Sequence, residues 1–228
     1  QGKPVFAHPQ NTAGIEAVIA AGVDVMAHTV GRQPGYTTEQ LASFKQQNIA
    51  LTPTLSLFAK LPIPPEIVAR VVDNTVGQLK GFSENGGTVL FGTDVGFTQL
   101  YDTTLEYELM RRALTERQVL ASLTTNPAAY FKVAKKGKVE EGFDADLVIL
   151  DGDPIADVRN LAKVATTIRA GPSRCRRARG TPRSRTPRSS WGAATTTTGR
   201  HPSPDQAGGS GQTGTSADRP RTTAPPWR

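Results

Sequence analysis

Short apolar runs alternate with longer amphipathic ones from Lys3 to Thr93. Pro4-Val5-Phe6-Ala7 predicts a buried strand. Thr12 to Ala21 predicts a helix stopped by Gly22, because glycine adopts the left-handed conformation that closes a helix. Asp24-Val25-Met26-Ala27 predicts a second strand, and Thr38 to Gln47 a helix with Thr37 or Thr38 as its N-cap. Asn48-Ile49-Ala50-Leu51 predicts a third strand, closed by Thr52-Pro53. Between Pro64 and Asn85 the apolar residues Ile67, Val68, Val71, Val72, Val76 and Leu79 recur with a helical period that ends at Gly86-Gly87. Thr88-Val89-Leu90-Phe91 predicts a fourth strand. Asp102 to about Phe131 predicts a helical region with a break at Asn126-Pro127.

Strands alternating with helices specify β-α units and a parallel sheet. Four such units make half of a (β/α)8 barrel. They also make half of a doubly wound sheet, although no glycine-rich phosphate loop follows the first strand. Ala145 to Leu150 and Val164 to Ile168 predict two strands outside this series, with turns at Gly142 and Gly152, and so a small β appendage.

The net charge of +7 over 228 residues suggests nucleic acid until it is divided by position. Residues 171–228 hold 11 Arg, no Lys and 2 acids, while residues 1–170 hold 16 basic and 18 acidic residues. The body is mildly acidic, and no specific nucleic-acid partner is expected for it. The same last 58 residues contain no Val, Ile, Leu, Met, Phe or Tyr, and 33 of them are Gly, Pro, Ser or Thr. Such a segment buries too little apolar surface to offset its ordering entropy, and disorder is expected there. Cys175, the single cysteine, excludes a disulfide within one chain. No run approaches the eighteen or so apolar residues of a membrane helix, so no membrane partner is expected, and no signal peptide is legible.

Candidate chemistry sits where the strands end. Val5-Phe6-Ala7 ends in His8, Val25-Met26-Ala27 in His28, and Val89-Leu90-Phe91-Gly92-Thr93 in Asp94. The C-terminal ends of parallel barrel strands open onto one face, the face that carries active sites. Two imidazoles and a carboxylate there suit a divalent metal, since zinc takes both donor types. Taken singly, a strand-end His is more often a structural residue, and an Asp after Gly-Thr is commonly a helix N-cap. The weight lies in the conjunction at matching positions. No short motif such as His-Glu-x-x-His accompanies it.

From about Lys3 to Gly171 the chain resembles the C-terminal part of the metal-dependent amidohydrolase superfamily, in its imidazolonepropionase-like and Xaa-Pro dipeptidase-like branch. The resemblance rests on Val5-Phe6-Ala7-His8, Ala21-Gly22-Val23-Asp24 with Ala27-His28-Thr29, Leu51-Thr52-Pro53-Thr54, Phe91-Gly92-Thr93-Asp94 and Thr124-Thr125-Asn126-Pro127-Ala128. Its most specific stretch runs from Gly142 to Leu150, followed by Asp151 to Pro154. The resemblance implies an α/β fold made of the second half of a (β/α)8 TIM-like barrel, strands 5–8, over residues 1–140. A small β-sandwich segment would follow over 141–171 and a disordered basic tail over 172–228. It implies His8 and His28 as ligands of one metal, and Asp94 as the carboxylate that binds the other metal and acts as the catalytic proton shuttle. The cofactor implied is a divalent metal, zinc first and one or two ions, and the substrate a small-molecule amide, cyclic amide or dipeptide whose C–N bond is cleaved. Thr52 and Thr54 would line the pocket or simply make the turn.

Two departures shape what to expect. The family draws further ligands from a His-x-His pair on strand 1 and, in many members, from a carboxylated lysine on strand 4; this sequence has no His-x-His and starts at the equivalent of strand 5. The expectation is therefore a C-terminal fragment, inactive alone, with edge strands at Val5–His8 and Val89–Phe91 that favour homo-oligomers or aggregation. A non-catalytic scaffold remnant with a basic tail is the alternative. The abrupt loss of apolar residues after Gly171 suggests a reading-frame shift in a GC-rich gene, the alternative being a tail that binds anionic surfaces through Arg174 to Arg188.

Overall fold

The computed structural model describes residues 2–97 and 101–171 and the strand backbone at Ser173–Arg174. The expected tail over 172–228, with Cys175, otherwise lies outside the described residues.

Strand β1 (Phe6–Ala7) leads to helix α1 (Thr12–Ala21). The Asn11 side chain accepts from the Gly14 N–H at the start of α1, and Gly22, at φ 61°, closes it by donating to Ile19 and Val18 carbonyls. Strand β2 (Val25–Ala27) follows, then helix α2 (Thr38–Gln46), whose N-terminus is a capping box between Thr37 and Gln40. Strand β3 (Ala50–Thr52) completes a parallel sheet in the order β1-β2-β3, and Val89 extends it by a parallel bridge to Leu51. Strand order thus follows chain order with no reversal among the described residues, which favours the barrel-like winding over the doubly wound one.

Along each strand successive side chains face opposite sides. Met26, Leu51 and Val89 join Ile15, Phe44, Leu79 and Phe82 in the main core. Val25, Ala50 and Leu90 make a second apolar layer covered by Tyr130. Burial on both faces is what a parallel sheet requires. Each fully buried large side chain contributes about 1.5–3 kcal/mol.

Helix α3 (Leu55–Ala59) follows β3 directly, and helix α4 (Pro65–Glu84) carries Val72, Val76, Leu79 and Phe82 inward. From α4, the fully buried Gln78 accepts from the Val30 N–H at 2.8 Å and donates to the Val30 and Gln33 carbonyls, pinning the loop between β2 and α2.

The helical region after Asp102 is three helices: α5 (Thr104–Arg111), α6 (Glu116–Leu123) and α7 (Thr125–Tyr130). The expected break at Asn126-Pro127 is displaced. Pro127 lies in the first turn of α7, where its missing N–H costs nothing, and the chain bends at Thr124, with φ −129° and ψ −85°. Asn126 instead donates to the Val89 carbonyl at 2.9 Å, and the Phe91 N–H donates to the Ser122 carbonyl.

The edge-strand expectation divides. Val89 and Leu90 are buried and tied to α6 and α7, whereas Val5 and Phe6 are more than half exposed. The expected burial of Pro4–Ala7 holds only in part: Ala7 packs against the core, while Val5 and Phe6 stay exposed, because among the described residues β1 pairs on one side, with β2, and the Phe6 ring stacks on Phe131 at 6.2 Å.

Strands β4 (Leu147–Leu150), β5 (Val164–Ile168) and β6 (Ser173–Arg174) form an antiparallel sheet, with a short 3-10 turn at Val158–Ala162 that puts Val158 and Leu161 into the core. Val148 and Ile149 are adjacent, so they face opposite sides, and both are half exposed. Among the described residues this is one sheet rather than a sandwich. No helix among the described residues is long and apolar enough to cross a membrane.

Candidate functional site

His8 and His28 follow the C-terminal ends of the adjacent strands β1 and β2, Asp94 follows the segment that bridges to β3, and His28 meets both His8 and Asp94. The His8 and His28 rings meet edge to face with centroids 4.6 Å apart. His28 Nε2 stands 3.8 Å from Asp94 Oδ2. His28 is buried, while His8 and Asp94 are exposed, so the cluster opens outward from a buried base.

The backbone at this end departs from ordinary strand geometry. The His28 N–H still donates to the Thr52 carbonyl at 2.8 Å, extending the β2–β3 ladder by one bond. His28, Thr54 and Asp94 then turn left-handed, with φ 86°, 48° and 54°. Left-handed non-glycine residues cost on the order of 1–3 kcal/mol each and gather at functional sites. Gly92 allows the close approach of the fourth strand end: a Cβ there would lie 2.5 Å from Thr52 Cγ2.

Thr54 does not cap α3; no side-chain cap bond is made there. Its Oγ1 lies 2.6 Å from His28 Nδ1. This contact occupies one ring nitrogen and turns the other, Nε2, toward Asp94. Burial pulls the His28 pKa below its usual value, the neighbouring His8 adds to that, and the Asp94 carboxylate opposes it. A neutral imidazole is the form that ligates metals.

The donor chemistry suits a divalent ion. Two donors each about 2.0–2.2 Å from one ion stand no more than about 4.4 Å apart, and the 3.8 Å between His28 and Asp94 lies within that span. A second hydrogen bond on the far nitrogen, as Thr54 makes, is the usual way a ligating histidine is oriented. Among the described residues, however, no three His, Cys, Asp or Glu side chains form a group arranged to hold an ion. The pair fits; a closed three-donor centre is not assembled.

Of the expected pocket residues, Thr54 belongs to the site through His28, and Thr52 packs against Gly92 beside it. The surface concavity bounded by Lys136, Phe143, Asp144 and Asp146 contains none of the site residues.

One participant escapes the sequence reading. Glu106, on α5, is fully buried and accepts from the Leu55 N–H at 2.8 Å and the Ser56 N–H at 2.7 Å, the first two amides of α3. Its carboxylate supplies the cap that Thr54 withholds. Burial pushes its pKa up, with the hydrogen bonds from Ser56 and Leu55 working against the shift. The legible signal is a charged residue in register with Leu109 and Met110, three and four positions on, at the core-facing positions of α5.

The amidohydrolase family model matches residues 1–173. No curated protein sequence matches the chain. Among solved structures, a Xaa-Pro dipeptidase with methionine in its active site is similar at 24% identity and TM-score 0.64, over 75% of this chain and 45% of that one. A candidate prolidase from Bifidobacterium longum is similar at 28% identity and TM-score 0.64, over 75% of this chain and 47% of that one. The ochratoxinase of A. niger is similar at 23% identity and TM-score 0.60, over 75% of this chain and 41% of that one. The chain thus spans less than half the length of these relatives. Their likeness carries a TIM-barrel-like α/β fold, of which the sheet described above is part, and members of the matched family generally use divalent metals. With the family match covering most of its length, the chain belongs to the amidohydrolase family.

Proposed function

We propose that this chain carries part of the centre of a metal-dependent hydrolase of C–N bonds in small amides, cyclic amides or dipeptides. The observation that supports this reading is the meeting of His8, His28 and Asp94 at three strand ends, with His28 Nε2 3.8 Å from Asp94 Oδ2. His8 and His28 would hold one divalent ion, zinc first, and Asp94 would approach it through its carboxylate. When bound, such an ion lowers the pKa of a water toward 7 and polarises a carbonyl. Asp94, exposed at the mouth of the cluster, takes the proton from the attacking water and returns it to the leaving nitrogen, as general base and then general acid. Thr54 keeps His28 turned toward Asp94.

Two histidines and one aspartate are a small donor set, and the described residues do not close it. Turnover is therefore not expected from residues 1–228 alone. The test is isothermal titration of the full chain with zinc or manganese, alongside hydrolysis assays on Xaa-Pro dipeptides and N-acyl amides. Weak binding at one site, lost in His28→Gln and Asp94→Asn, is the expected result. Binding indifferent to both substitutions would overturn the assignment of the site. Two-ion stoichiometry with hydrolysis would overturn the inactivity of the isolated chain.

A further inference from the structure

Among the described residues the Glu106 carboxylate makes no ion pair and no hydrogen bond to His8, His28 or Asp94, yet it is entirely enclosed. A buried carboxylate is costly unless its oxygens are well occupied, and both are spent on the backbone of a five-residue helix. That helix begins immediately after Thr54. Thr54 is β-branched, and a β-branched residue at positive φ is a genuine outlier that its surroundings must enforce. Its hydroxyl is also the group that would ordinarily accept the first amides of the helix. Were Thr54 to cap α3 itself, it would leave His28.

We infer that Glu106 is a positioning residue for the candidate site: by capping α3 through Leu55 and Ser56 it frees the Thr54 hydroxyl to hydrogen-bond His28 Nδ1, which holds the ring with Nε2 toward Asp94 and, together with that carboxylate, settles the imidazole in one tautomer. Three links make the chain of action. Glu106 holds the Leu55 and Ser56 amides at 2.8 and 2.7 Å. Those amides hold the left-handed turn at Thr54. Thr54 Oγ1 holds His28 Nδ1 at 2.6 Å. Glu106 lies 50 or more residues from the amides it caps, so the device exists only once α5 has docked on α3.

This inference rests on reading His28 as a site residue, but its test does not depend on hydrolysis, so the two fail separately. The chain has three histidines, and long-range proton–nitrogen spectra of the labelled full chain resolve the tautomer of each. At about pH 8, above the ordinary imidazole pKa, wild-type His28 should show the well-separated nitrogen shifts of a single tautomer. In Glu106→Gln, with the amide fingerprint otherwise native, the two shifts should move toward each other and the Leu55 and Ser56 amides should exchange at least tenfold faster. A folded Glu106→Gln variant with an unchanged His28 pattern would overturn the inference and leave Glu106 a structural cap only. Should that variant not fold, Thr54→Ser and Thr54→Val decide. Serine should keep the wild-type pattern and valine lose it, with Leu55 and Ser56 strongly protected in the wild type; a valine variant that keeps the pattern, or unprotected amides, would overturn it equally.

Discussion

His28 and Asp94 end strands far apart in the sequence, yet His28 Nε2 and Asp94 Oδ2 face each other at 3.8 Å. Substituting either one should affect the same event. His28→Gln and Asp94→Asn should each weaken zinc binding by about tenfold or more, since even partners that only orient a ligand are worth about 10–100-fold. Because the two would share an ion, the double variant should lose much less than the product of the single losses. Titration calorimetry of the three variants provides the comparison. Independent, multiplicative losses would separate the two residues into different sites.

Glu106 should leave a signature in the pH dependence of stability. Its folded-state pKa lies above the ordinary glutamate value because of burial. Between the unfolded and folded pKa values the native state holds the proton that the unfolded chain releases, so stability from this group is present at low pH and falls as pH rises through that interval. Glu106→Gln does not titrate. The stability of wild type minus that of the variant should therefore decline as pH rises above about 4.3. Urea melts across the acid range measure it, and a difference that grows with pH would reverse the sign argued here.

Gly92 is required by its distance to Thr52 rather than by its own dihedral angles. An added Cβ would sit 2.5 Å from Thr52 Cγ2, a branched and stiff side chain that has little freedom to withdraw. Gly92→Ala should destabilise the chain by about 1–3 kcal/mol. It should also perturb the Asp94 backbone resonances more than those of α1. Thermal and chemical denaturation give the first number, and backbone shifts the second. Restoration by Gly92→Ala with Thr52→Ser would tie the loss to this contact.

Tyr36 presents the opposite case, a side chain whose polar atom serves nothing in the described structure. Its ring packs at 5.1 Å on Phe44, while its buried hydroxyl has no hydrogen-bond partner among the described residues. An unpaired buried hydroxyl costs about 1–3 kcal/mol. Tyr36→Phe keeps the ring and removes the cost, so it should be neutral or raise stability by up to about 1 kcal/mol. A clear loss in a urea melt would mean that the hydroxyl has a partner.

Much of the architecture was legible because local chemistry dictates it. Gly22 and Thr37 stop and start helices with the same atoms in any context, and α1 and α2 appear where those residues place them. The alternation of short apolar runs with amphipathic ones was enough for a parallel sheet, and the placing of His8, His28 and Asp94 after those runs was enough to nominate a site. Other elements depend on contacts the sequence does not display. Helix α3 has no cap of its own and begins with a left-handed threonine; it forms because Glu106 arrives from α5 to occupy its amides. Pro127 reads as a helix breaker, but it falls in a first turn because Thr124 bends and Asn126 reaches the Val89 carbonyl.

By itself, then, the sequence determined the alternation of strands and helices, the caps at Gly22 and Thr37, and the identity of the residues at the strand ends, since these follow from periodicity and from short-range hydrogen bonding. It also marked the division of charge between an acidic body and an arginine-rich end. Only the tertiary structure decided that β1 stays exposed while Val89 and Leu90 are buried, that the His28 ring is gripped by Thr54, and that Glu106 stands behind them both. The physical reason is that burial and hydrogen-bond satisfaction are properties of neighbours brought together from distant parts of the chain. A buried carboxylate or a left-handed threonine is tolerable only when those neighbours are in place.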